Sequence, residues 1–307
     1  MSKVTNAALP ATPLPRRRRG GVGRASERRT AWAMMLPAGI LLLVFLIIPI
    51  LLTFGLAFTN TRLISPNPPS FSGLENFGRA LSADPALLAS ARNTLYFAAV
   101  VVPVQGGLGL ALALLVNQRI RGVNFFRTVF FLPVVTSMVV VAMLWKFMYQ
   151  PDGLINAILG LDDYAWLGES ATAMPSIMAM SIWQGVGFHM VIFLAGLQTI
   201  PAEHYEAAEL DGANRRQQFR HVTVPGLRPT FVFVLITITI AAFSLFVQVD
   251  VMTSGGPLDS TTSMVYHAVT KGYRQKEMGY GAAIALIYFL MVLAVALVQR
   301  RLTQEER

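Results

Sequence analysis

The sequence predicts an all-α membrane protein with six transmembrane helices and a polar cytoplasmic loop between spans four and five. Three observations carry this. Hydrophobic residues make up 54% of the 307 and charged residues only 13%, whereas a soluble domain averages about 25% charged. The charges sit in the tails and in short connecting segments, leaving long uncharged runs between them. Six of these runs reach the roughly 20 apolar residues that cross the hydrocarbon of a bilayer.

Residues 1–30 are rich in Pro, Ala and Arg, with Arg16–Arg19 and Arg28–Arg29 consecutive. Such a composition builds no core and predicts a disordered, basic cytoplasmic tail. The apolar run after it is too long for a signal-peptide core and has no small-residue cleavage site, so it reads as a retained first span. The six spans are Trp32–Phe58, Leu95–Val116, Thr128–Tyr149, Thr172–Leu197, Thr230–Val249 and Tyr280–Val298. They form one membrane domain over residues 31–299, followed by a short solvated cytoplasmic tail at 300–307. Pro37, Pro49, Pro103 and Pro133 predict kinks or irregular ends, tolerable where neighbouring helices supply partners. Gly106, Gly107, Gly109, Gly185 and Gly187 predict close helix packing.

Orientation follows from the excess of basic residues on the cytoplasmic side. With the amino terminus inside, the inner segments hold 18 of the 25 Lys and Arg, and the outer loop 151–171 holds Asp152, Asp162, Asp163 and Glu169 with no base. Both termini and the polar loop 199–229 are then cytoplasmic. The net charge of +9 is a topology signal and not a nucleic-acid surface, because the bases flank apolar helices. With no cysteine there are no disulfides, no thiolate chemistry and no cysteine-based zinc site.

The polar loop reads as two short helices around a turn. Pro201 suits a helix start, and Glu203 and Glu206 complement the dipole of the first turns. Ala207-Ala208 favours helix and keeps one face small. Asp211-Gly212 ends the first helix, with the glycine supplying a left-handed conformation. A second helix is expected through Arg215, Phe219 and Val222 until Pro225 stops it. Taken by composition alone, such a hairpin also suits an amphipathic element lying on the membrane.

The residue order resembles a known motif. Glu206-Ala207-Ala208, Gly212 and Val222-Thr223-Val224-Pro225 are similar to the EAA loop of ABC importer permeases. The likeness extends through Gly73-Leu74-Glu75-Asn76-Phe77, Asn93-Thr94-Leu95, Phe126-Arg127 with Phe130-Phe131-Leu132-Pro133, Trp166-Leu167, Leu194–Pro201 and Gly255-Gly256-Pro257. Together these resemble the carbohydrate-uptake branch and its first permease subunit, of the maltose and glycerol-3-phosphate type. Asn214 and Arg215-Arg216 depart from the small, aromatic or polar residues frequent there.

The resemblance implies a non-catalytic permease subunit of a binding-protein-dependent importer of a sugar or related polyol derivative, in a bacterial or archaeal cytoplasmic membrane. The implied partners are a second homologous permease, a dimer of ABC ATPase subunits, an extracytoplasmic sugar-binding protein and membrane lipid. No cofactor belongs to this chain; ATP with magnesium would be bound by the ATPases. Glu206, Ala207, Ala208, Asp211 and Gly212 would dock the ATPase, Glu206 through a charge-assisted contact, and the loop would move as a lever between inward-open and outward-open states.

Polar residues inside spans are costly and mark a transport path by default. Trp183, Gln184 and His189 on span four and Ser244 and Gln248 on span five are the candidates. A packing or interfacial aromatic is an equal reading for Trp183, and helix-to-helix hydrogen bonding is the stronger reading for His189. Asp250 suits either a gate or an exposed helix end, and Lys146 is expected to snorkel. A secondary, ion-coupled transporter is the alternative, and it usually shows a charged residue inside a span or inverted repeats with broken helices. Neither stands out. An enzyme lacks its catalytic set, and no Gly-x-x-x-x-Gly-Lys-Ser/Thr occurs.

Overall fold

A computed structural model describes residues 23–66, 68–118 and 121–304. The chain divides into two units at Leu52 and Thr53, each described by itself. The first contains α1 (Gly23–Leu42), a π turn (Leu43–Ile47) and the start of α2 (Ile48–Leu56). The π turn ends two residues before Pro49. The proline ring opposes the carbonyl four residues back, and the widened turn takes up that conflict. The predicted tail before Gly23 lies outside the described residues. Residues 23–30 are already helical, as Arg, Ala and Glu there favour helix.

The second unit begins at Thr53 with the end of α2, followed by α3 (Glu75–Ala83) and α4 (Pro85–Val116). The second span is therefore ten residues longer than expected, because Asp84 caps it and Pro85 opens it. Pro103 lies inside without breaking it.

The third predicted span is not one straight helix. It is divided into α5 (Val123–Val135) and α6 (Met138–Met148), bent by 99°. Pro133 removes a donor, Thr136 is extended (φ −82°, ψ 142°), and the helical path restarts after Ser137. α7 (Leu154–Leu159) precedes α8 (Ala173–Gln198), which matches the fourth prediction closely.

α9 (Ala202–Leu210), α10 (Arg215–Gln218), a π turn (Phe219–Thr223) and α11 (Val224–Gly226) form the polar segment. α12 (Arg228–Phe243) follows at a 66° bend. At 16 residues it is only about 24 Å long. The fifth predicted span therefore also breaks, resuming as α13 (Val247–Met252). The carbonyls freed at this break are satisfied by side chains: the Tyr288 hydroxyl donates to Phe243 O at 2.7 Å and Ser263 Oγ donates to Leu245 O. This is what a broken helix at membrane depth requires. α14 (Met264–Val269), a π turn (Thr270–Arg274) and α15 (Met278–Gln304) complete the fold. Among the described residues the only β feature is a bridge between Thr59 and Phe71.

α4 and α8 run parallel through the core, flanked by α5 and α12. Gly187 lets α5 approach: a Cβ there would lie 2.0 Å from Phe130 O. Phe97, Ile177, Met190, Phe193 and Ile238 fill the surrounding core.

At the end opposite the polar segment, Asp84 ties four pieces together. It accepts from Ala86 N at 3.1 Å and from the Tyr280 hydroxyl at 2.6 Å, and its Oδ2 lies 2.8 Å from His267 Nε2. Burial presses the Asp84 carboxyl upward, but these bonds and nearby positive charge prevail and hold its pKa below the ordinary value. Arg79 lies over the Tyr280 ring and pairs with Glu277 at 2.8 Å. Lys146 donates to Val251 O at 2.9 Å, so its head group is held by a backbone carbonyl. Asp250 is paired with Arg274.

Candidate functional site: an interhelical cavity and a polar hairpin

Two places concentrate polar chemistry. The first is a cavity of about 180 Å³ among α4, α5, α6, α8, α12 and α13. Its polar lining is Gln105, Ser181, Gln184, His189 and Gln248. Gly185 makes room for Gln105, since a Cβ there would meet its Nε2 at 2.4 Å. His189 is 4% exposed. Its Nδ1 lies 2.9 Å from the Gln105 amide and 3.0 Å from Gly185 O. One ring nitrogen is a donor and the other an acceptor in neutral imidazole. In either tautomer Nε2 is left with no hydrogen-bond partner among the described residues.

The cavity therefore gathers Gln184, His189 and Gln248 from the predicted path residues. Trp183 and Ser244 lie outside its lining. Trp183 packs against Trp145, ring centroids 5.5 Å apart, and the Ser244 hydroxyl donates back to Ile240 O at 2.9 Å. Gln105 and Ser181 join the set unannounced. Gln105 was available to sequence reasoning by the same rule that singled out the others, as a polar residue inside a span. Among the described residues no charged side chain lines the cavity. It can exchange hydrogen bonds with hydroxyls and offers nothing to neutralise an ion.

The second place is the segment 199–229. α9 ends in a full Schellman motif: Gly212 N–H donates to Glu209 O at 3.0 Å, and Ala213 N–H to Ala208 O at 2.9 Å. Gly212 stands at φ +75°. Open space surrounds it, so within this chain the glycine serves the backbone turn. Asn214 then opens α10 with a reciprocal capping box to Gln217. Tyr205 and Thr223 hydroxyls meet at 3.0 Å and pin α9 to the returning strand of helix. Pro225 does not stop that helix, contrary to expectation. The π turn ahead of it, closed by Val224 N–H to Phe219 O, absorbs the proline, and the path breaks at fully buried Leu227. Glu206, Ala207, Asp211 and Gly212 are exposed, and Ala208 is half-buried under the turn.

The described residues combine a bent, capped helical hairpin with broken, apolar helices long enough to cross a membrane, which defines a membrane component. Residues 105–307 match the family described as the binding-protein-dependent transport system inner membrane component. The chain belongs to that family, a transport component and not an enzyme. It is 39% identical to a probable ABC transporter permease protein, YurN, of Bacillus subtilis, over 88% of this chain and 94% of that one. It is 35% identical to the trehalose/maltose transport system permease protein MalF of Thermococcus litoralis, over 89% and 92%. A bacterial ABC transporter involved in import of the acidic polysaccharide alginate shares the fold, with a TM-score of 0.77, 22% identity and coverage of 91% and 96%. An ion-coupled carrier finds no support in these likenesses.

Proposed function

We propose that this chain is a permease subunit of an ATP-driven importer that moves an uncharged sugar. It works beside a second homologous permease, a pair of ATPase subunits and an extracytoplasmic binding protein. Both termini and the segment 199–229 face the cytoplasm, where ATP is. The observation that carries the reading is the exposed hairpin, whose Schellman turn fixes Glu206 and Gly212 on a rigid element. A lever has to be stiff, and capped helices joined by a hydrogen-bonded turn provide that. Closure of the ATPase pair would bias the bundle between two arrangements, with nucleotide as the differential ligand.

The cavity is the proposed sugar path. Amide and imidazole groups recognise hydroxyls, and Gln105, Gln184, His189 and Gln248 line this cavity. An anionic cargo would leave its charge unpaired there, a heavy penalty in a low dielectric. The trehalose and maltose named for one relative fit this chemistry.

The test is purification of the tagged chain from its membrane in mild detergent, with every co-purifying protein identified. A second permease and an ATPase are expected with the unaltered chain. Glu206→Ala with Gly212→Val should release the ATPase and abolish uptake while insertion and the second permease are kept. A doubly substituted chain that still holds its ATPase would refute the docking role.

A further inference from the structure

The docking segment is divided by charge. α9 and its turn carry Glu203, Glu206, Glu209 and Asp211, and the returning segment carries Arg215, Arg216 and Arg220. All seven side chains are exposed. None of the three arginines makes an ion pair or hydrogen bond through its side chain with any described residue. Two large apolar side chains lie among them, Leu210 at 90% exposure and Phe219 at 36%.

The hairpin could have neutralised itself. Salt bridges between neighbouring helical elements are easily formed, yet its two charged halves stay apart. The bases are also of one kind: residues 199–229 hold four arginines and no lysine. Arginine presents a rigid fork that meets carboxylates two bonds at a time, whereas lysine is a mobile point charge. Arginine with exposed aromatic and aliphatic anchors is the composition of protein interfaces, where lysine is depleted.

We propose that Arg215, Arg216 and Arg220 form a second, basic contact of the docking segment. Its complement on the ATPase is a cluster of carboxylates, and this contact selects which ATPase assembles with the permease. The inference rests on the docking reading above and adds the chemistry of the partner. The acidic half and the basic half together orient the ATPase, since reversing it would set like charges against each other.

The experiment uses the whole importer, with both permeases, the ATPase and the binding protein co-expressed. Arg215→Glu, Arg216→Glu and Arg220→Glu are combined, and ATPase retention is measured at low and high salt. The expected result is roughly tenfold weaker retention at low salt, a flattened salt dependence and an unchanged amount of second permease. Reversing the facing ATPase carboxylates to lysine should restore retention. The milder Arg215→Gln with Arg216→Gln gives an intermediate loss and guards against a folding failure.

Unchanged retention and salt response, with Gly212→Val still releasing the ATPase, would overturn this inference and leave the docking reading standing. If Gly212→Val also retains the ATPase, the docking reading itself has failed. If the charge-reversed chain keeps its ATPase but no longer associates with vesicles of phosphatidylglycerol, the arginines serve the lipid surface and the proposal is wrong.

Discussion

The cavity and the docking segment use glycine for opposite reasons, and the contrast separates packing from backbone geometry. Inside the bundle, Gly187 is needed for space: a Cβ would lie 2.0 Å from Phe130 O. In the docking segment, Gly212 is needed for its φ of +75°, and nothing stands within 4 Å of an added Cβ. One glycine lets two helices touch, and the other lets one helix end. Close packing shapes the proposed sugar path, and open space suits the proposed docking surface.

The largest expected effect breaks the contrast at the packed end. Gly187→Ala should destabilise by about 3 kcal/mol through overpacking against backbone, whereas Gly212→Ala should cost roughly 1–2 kcal/mol through left-handed strain. Thermal unfolding of the two purified variants in detergent measures the difference. Equal shifts would mean that α5 yields easily to α8.

A smaller effect sharpens the cavity side. Gln105→Leu removes one neighbour of His189 Nδ1 and should cost about 1–3 kcal/mol if a buried polar atom is left short of partners. Sugar uptake should fall further than assembly does. Wild-type uptake would return Gln105 to a purely structural role.

The smallest effect concerns the far end of the bundle. The Asp84 pKa is lowered in the folded state. Its stabilising contribution is therefore present above the unfolded carboxylate value of about 3.9 and fades as pH falls below it. Asp84→Asn should remove that part of the acid sensitivity. An identical acid-unfolding profile in the variant would show that Tyr280 and His267 hold the site without the charge.

Much of this was legible in the residues. α4, α8 and α15 follow from long uncharged runs, and the turn at Gly212 from the order Glu206-Ala207-Ala208 to Gly212. The breaks in the third and fifth spans were not legible, because hydropathy measures solvent preference and is blind to backbone direction. Pro133 hinted at the first. The break after Phe243 has no proline and depends on Tyr288 and Ser263, which come from distant parts of the chain. Pro225 misled for a related reason: a proline ends a regular helix, but a π turn just before it offers another way through.

By itself the sequence determined that the chain is a membrane protein, that a polar loop separates spans four and five, and which family motif that loop resembles. These depend on composition and local order, which are properties of the chain alone. Only the tertiary structure decided that Gln105 stands beside His189, that Trp183 and Ser244 stay outside the cavity, and that three arginines find no carboxylate among the described residues. Such facts depend on which helix faces meet, and that is settled by close packing between residues far apart in sequence.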